Sequence, residues 1–249
     1  MALRGLLCWR FRCHACVNRY IIAGKSMNLV KSVLRISFET PTDPWLKLRE
    51  LMRTAASDPK IEMQAASLVL DRKDKKTRIL LQIRGVGLEQ ETNGSLAQAV
   101  AEARSMMARL NEVSPFPEVR MMKYDVAFID PFDMPFHELV DHMKGRFLKP
   151  TRIVGLSSDI ALVFDQRDED LLKHVQIGPM DRAQLVSDVL RWANEDEIPD
   201  TFVFAEIGYE NTQRIAFSED ALDSFLKEAM KWQESEANAI FNELKEGGD

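Results

Sequence analysis

The sequence predicts an α+β fold: an internally duplicated antiparallel sheet with helices covering one face. The first observation behind this is a repeat. Residues 67–84 read SLVLDRKDKKTRILLQIR, and 94 positions later residues 161–178 read ALVFDQRDEDLLKHVQIG, with six identities in eighteen and no gap. Leu68, Val69, Asp71, Asp74, Gln82 and Ile83 match Leu162, Val163, Asp165, Asp168, Gln176 and Ile177. In each copy an apolar run enters a charged centre and leaves as a second, partly apolar run, the pattern of a β-hairpin around a polar turn. The second observation lies upstream, where Pro44-Trp45-x-x-Leu48-x-x-x-Met52 has the spacing of Pro135-Phe136-x-x-Leu139-x-x-x-Met143. The third is that the order strand, helix, strands, helix occurs twice, and self-similarity of this kind governs architecture before any local pattern does.

Each element has a local reason. Leu29 to Phe38 alternates as a strand. Asp43 is then a natural N-cap, with Pro44 at a first helical position whose N–H would lack a partner anyway. Trp45, Leu48 and Met52 fall on one face of that helix, and Ser57-Asp58-Pro59 stops it. Residues 61–71 and 77–91 read as one hairpin with a long second run. Ser95 and Gln98 make a capping box, succeeded by Leu96, Val100, Ala103, Met107 and Leu110 at helical spacing. Pro115-Phe116-Pro117 then breaks the chain, which places a first half-repeat at 27–114 and a second at 115–249.

The second half predicts a strand over 121–129, a helix from Pro135, and strands near 152–156 and 160–177. Asp181 and Gln184 form another capping box, and Leu185, Val189 and Trp192 give its helix a face, making it the expected twin of the helix at Ser95. Residues 201–209 and 213–217 read as a hairpin around Glu210-Asn211-Thr212, with no counterpart in the first half. The longest helix closes the chain, from an N-cap at Ser218 to a stop at Gly247-Gly248. Its stripe of Leu222, Phe225, Leu226, Ala229, Ile240, Phe241 and Leu244 is a core face.

Residues 1–26 contrast with the rest of the chain. They hold Arg4, Arg10, Arg12, Arg19 and Lys25 with no acid, so a net −6 for the chain leaves −11 for residues 27–249. The composition fits an extension outside the fold with Met27 as the working start, and it is also that of an organelle transit peptide. All three cysteines are here. Cys8-x4-Cys13-x2-Cys16 has the spacing of three iron-sulfur ligands but lacks a fourth, which leaves them candidate metal ligands only. With no Cys in the body there is no disulfide framework, which fits a cytoplasmic, reducing setting.

The element order over most of residues 28–193 resembles the duplicated, saddle-shaped fold of the TATA-binding protein, a likeness that carries no functional residues; paired ferredoxin-like units are the alternative. A second likeness is in pattern. The run from Tyr124 to Pro135, with Leu222-Asp-Ser-Phe225 and Ile240-Phe241-Asn-Glu-Leu244, is similar to a sporadically distributed family of uncharacterised bacterial proteins, and implies no known activity.

Chemical motifs are sparse. No Gly-rich phosphate loop, GxSxG or HExxH is present. His137 and His142 are five apart, about 140° around a helix, which suits surface histidines better than a metal pair. His174 lies in the repeated hairpin opposite Leu80 of the first copy, a packing position. The recurring Asp71/Asp74 and Asp165/Asp168 could hold a hard cation, but Asp is favoured in turns for its local hydrogen bonds. Three functional classes emerge. The leading one is a non-catalytic interaction or ligand-binding module without a cofactor, with a protein the foremost partner. The second is a carboxylate-dependent hydrolase, for which Glu206, among apolar neighbours, is the one catalytic candidate. Nucleic-acid binding comes third and is opposed by the acidic body. No run approaches the roughly 20 apolar residues of a membrane-spanning helix.

Overall fold

Nine strands form a single sheet in which every neighbouring pair runs antiparallel, in a computed structural model that describes residues 27–53, 60–64, 67–149 and 151–245. The strands are β1 (Asn28–Phe38), β2 (Lys60–Gln64), β3 (Ser67–Arg72), β4 (Thr77–Gln82), β5 (Gly85–Glu91), β6 (Val119–Pro131), β7 (Leu162–Asp168), β8 (Leu171–Asp181) and β9 (Thr201–Asn211). Their order is β2-β3-β4-β5-β1-β6-β9-β8-β7. Read outward from the central β1/β6 pair, β5, β4 and β3 on one side answer to β9, β8 and β7 on the other. The repeated stretches are thus the hairpins β3/β4 and β7/β8, in equivalent places. Each turns through one left-handed residue, Lys76 in the first and Glu169 in the second.

Although the match is gapless in sequence, the pairing registers differ by two. Leu68 faces Leu81, whereas its equivalent Leu162 faces Ile177 rather than Val175. The first turn spends four residues, including the 3₁₀ turn Lys73–Lys75, where the second spends two. A shift of two keeps each side chain on its face, whereas a shift of one would have reversed them all.

The helices α1 (Pro44–Arg53), α2 (Leu96–Val113), α3 (Phe136–Phe147) and α6 (Glu219–Lys245) bury a common core against one face, including Leu34, Ile36, Leu81, Leu88, Tyr124 and Ile207. Caps start three of them as expected: Asp43 Oδ1 accepts from the amides of Trp45 and Leu46, Ser95 and Gln98 complete their box, and Ser218 Oγ accepts from Ala221 N. Deep in α6, Gln233 Nε2 donates to Tyr124 O at 2.7 Å and Ile207 O at 2.9 Å, tying the helix to both β6 and β9.

Several expectations are corrected. The long run 77–91 is two strands, since the chain turns at Ile83-Arg84. The segment 201–217 is no hairpin: β9 runs unbroken to Asn211, and Ile215 bridges Val119 of β6 instead of folding back. Consequently β9 does have a first-half counterpart, which is β5. Residues 152–156 form a short helix, α4 (Arg152–Leu156), because Thr151 Oγ1 caps Val154 N. In α1 the buried residues are Lys47, Leu48 and Leu51, while Trp45 stays 51% exposed. Pro135 is the N-cap of α3 rather than its first residue.

The largest correction concerns the expected twin of α2. The Asp181/Gln184 capping box forms, but the helix is only α5 (Arg182–Gln184) plus a π turn (Leu185–Val189). It packs on the opposite sheet face, where Leu185 and Ile198 cover Val30, Ala127, Ile129, Phe202 and Phe204 in a second, smaller core. Sequentially, α6 takes the place that α2 holds in the first half. The extension 1–26, the helix stop at 57–59 and the Gly247-Gly248 stop lie outside the described residues.

Candidate functional site

Period-two alternation decides what the uncovered sheet face displays. On β1 it sends Leu34 and Ile36 to the helices and Lys31, Val33 and Arg35 to the other side; on β6 it does the same with Tyr124 and Val126 against Lys123, Asp125 and Ala127. The registers Arg35↔Lys123, Val33↔Asp125 and Ala127↔Glu206 bring these residues together at the centre of the sheet. With Asp188 and Val189 of the π turn as one wall, they line a cleft of about 180 Å³.

Asp125 is the centre of this cleft. It is only 5% exposed, and its carboxylate lies 3.3 Å from Lys123 Nζ and 3.7 Å from Arg35 Nη1. Burial pushes its carboxyl above the ordinary range; Lys123 opposes this, Glu206 adds to it, and Arg35 opposes it more weakly. Space for the carboxylate comes from Gly208, its partner across the ladder, where a Cβ would meet Asp125 Oδ1 at 2.5 Å.

The wall is fixed from the sheet. Lys31 Nζ donates to Val189 O at 2.8 Å while pairing with Glu89 at 2.7 Å, and the Glu91 carboxylate accepts from the amides of Arg191 and Trp192. Beside the cleft and sharing Val33 and Arg35 runs a trough of about 220 Å³ over Val69, Leu80 and Gly87, edged by Arg78 and Glu89. Cleft and trough together make one strip from β3 to β9.

Glu206, the sequence candidate, is half-buried in this cleft, and its strand neighbours across the ladder are Ala127 and Gln176. Sequence reasoning missed the residues around it. Lys31, Arg35, Lys123 and Asp125 each carry the signal of a charge alternating with apolar neighbours, but only the register shows that they converge. Cys8, Cys13 and Cys16 lie outside the described residues. Among the described residues no group of three or more His, Cys, Asp or Glu could hold a metal ion.

The recurring acids have rung partners. Asp71 faces Arg78 across β3/β4 at 3.5 Å, and Asp165 faces His174 across β7/β8, with Nδ1 to Oδ1 at 2.6 Å. Only Asp74 sits in a turn proper. His174 is therefore a polar partner on the open face rather than a packing residue. His142 Nε2 contacts Leu244 O at 2.9 Å, joining α3 to α6, and His137 is exposed. Larger cavities lie at the sheet's two ends, about 670 Å³ by Glu91, Asp196 and Glu197 and about 480 Å³ by Arg120 and Arg214. Neither brings together a buried, perturbed group like Asp125.

No protein-family model and no curated protein matches the chain. Among solved structures, a TATA-binding protein from Methanococcus jannaschii overlaps 82% of this chain and 98% of its own, at 12% identity and a TM-score of 0.27. An overlap that loose transfers neither residues nor activity. Among the described residues, no helix is long and apolar enough to cross a membrane.

Proposed function

We propose that the chain is a non-catalytic interaction module that takes an extended stretch of a protein partner across its open sheet face. One observation carries this: the face is a shallow strip on which opposite charges alternate and compensate, Lys31 with Glu89, Arg35 and Lys123 with Asp125, and Arg78 with Asp71. Cations already paired in this way are poor receivers for a phosphate backbone, whose binding rests on uncompensated Lys and Arg. The cleft and the trough, at about 180 and 220 Å³, each fall below the several hundred Å³ that enclose a small molecule. An extended polypeptide that lays apolar side chains over Val33 and Leu80, with charged ones on either side, suits the strip's shape and chemistry.

The hydrolase reading keeps one observation in its favour, the raised carboxyl of Asp125 beside Glu206. Assaying the full chain against activated carboxylate esters, phosphate esters and glycosides separates the two. The module reading expects no turnover that depends on these acids. Hydrolysis abolished by Glu206→Gln or Asp125→Asn, with melting unchanged, would assign them acid and base roles and end the module reading.

A further inference from the structure

We propose that the free edge of β7 pairs antiparallel with the same strand of a second copy of this chain, about a twofold axis at Gln166. β7 ends the sheet, and residues 163–168 are all exposed. Two consecutive residues there expose large apolar side chains, one on each face of the strand: Val163 at 55% on the open face and Phe164 at 56% on the other. An unpaired strand edge carrying exposed apolar residues is a template for another strand.

Charge selects the occupant and the register. Centring the pair on Gln166 sets Asp165 opposite the partner's Arg167, and Arg167 opposite the partner's Asp165, both on the open face. Moving the centre one residue either way sets Asp165 against Asp165 or Arg167 against Arg167, and like charges directly opposite are unfavourable. Both ions are available for the role. Arg167 has no ion-pair partner among the described residues, and Asp165, held on the open face by His174, remains 60% exposed. In the same register Val163 lies diagonal to the partner's Arg167, whose aliphatic stem can cover it. The opposite edge, β2, also exposes Ile61 (41%) and Met63 (73%), but it is shorter and offers no unpaired opposite charges, since its Lys60 and Glu62 already pair with each other at 2.6 Å. A strand paired with its own copy makes a closed twofold contact, in which each copy offers the same surface.

Sedimentation equilibrium of the full chain tests this, with a dimer expected below roughly 100 µM, in the range of small interfaces. Asp165→Arg and Arg167→Asp should each weaken dimerisation roughly tenfold or more by opposing like charges at two rungs, and the double reversal D165R/R167D should restore it. Arg167→Asp removes no ion pair among the described residues, so it reads the interface even where Asp165→Arg disturbs the hairpin through His174. A monomer throughout, a dimer indifferent to both single reversals, or a double reversal that fails to restore dimerisation would each overturn the proposal.

Discussion

Gly208 and Asp125 face each other across β6 and β9, and the space where a side chain of residue 208 would begin is filled by the carboxylate of residue 125. The glycine is thus a condition for burying an acid on the open face. Gly208→Ala reduces the freedom of the unfolded chain, worth about 0.4–1 kcal/mol in favour of folding. Against that stands overpacking beside a buried charge, about 1–3 kcal/mol. The expected net is a loss of about 1–2 kcal/mol in urea unfolding, largely recovered in the double variant D125A/G208A. Strictly additive losses would show that the two residues do not share the space.

Lys47 is on the buried face of α1, with its Nζ 3.2 Å from Ser114 Oγ and over the Phe116 ring. Burial lowers its pKa to about 8, with Asp43 pulling the other way. The folded state therefore releases its proton more readily than the unfolded chain, so stability rises with pH between about 8 and 10.5 and the full penalty is present below that window. Lys47→Met should raise stability by roughly 1–2 kcal/mol at pH 7, after the lost Ser114 contact is counted, and should flatten that slope. Denaturant midpoints measured from pH 7 to 10 check both, and a variant less stable at pH 7 would contradict the burial argument.

Phe225 is buried on α6 with its ring centroid 5.7 Å from that of Tyr209 on β9. Phe225→Ala should cost about 3–5 kcal/mol through lost burial and the cavity left behind. A loss under about 1 kcal/mol would mean that α6 is not part of the cooperative core.

The repeat, the strand alternation and the caps at Asp43, Ser95, Asp181 and Ser218 were legible in the sequence, because each is set by neighbours a few residues apart. The capping box at Asp181 shows the limit of such signals. It fixes where a helix starts but not its length or the sheet face it joins, which depended on Lys31 of β1 and Glu91 of β5 holding the turn from two other strands. Glu206 was legible as a carboxylate in an apolar run. Asp125 showed in the sequence only as a charge within the Tyr124–Ile129 run, since its burial depends on Gly208 and Arg35 on the neighbouring strands and on Lys123 two residues before it on its own.

The most direct test of the proposed binding face is amide shift mapping on the ¹⁵N-labelled full chain, titrated with extended peptides alternating Lys, Leu and Glu. The expected shifts cluster on Lys31–Arg35, Lys123–Ala127 and Glu206–Gly208, and are lost in Lys123→Glu. Shifts that gather on α2 and α6, or around Arg120 and Arg214 at the sheet's end, would contradict it.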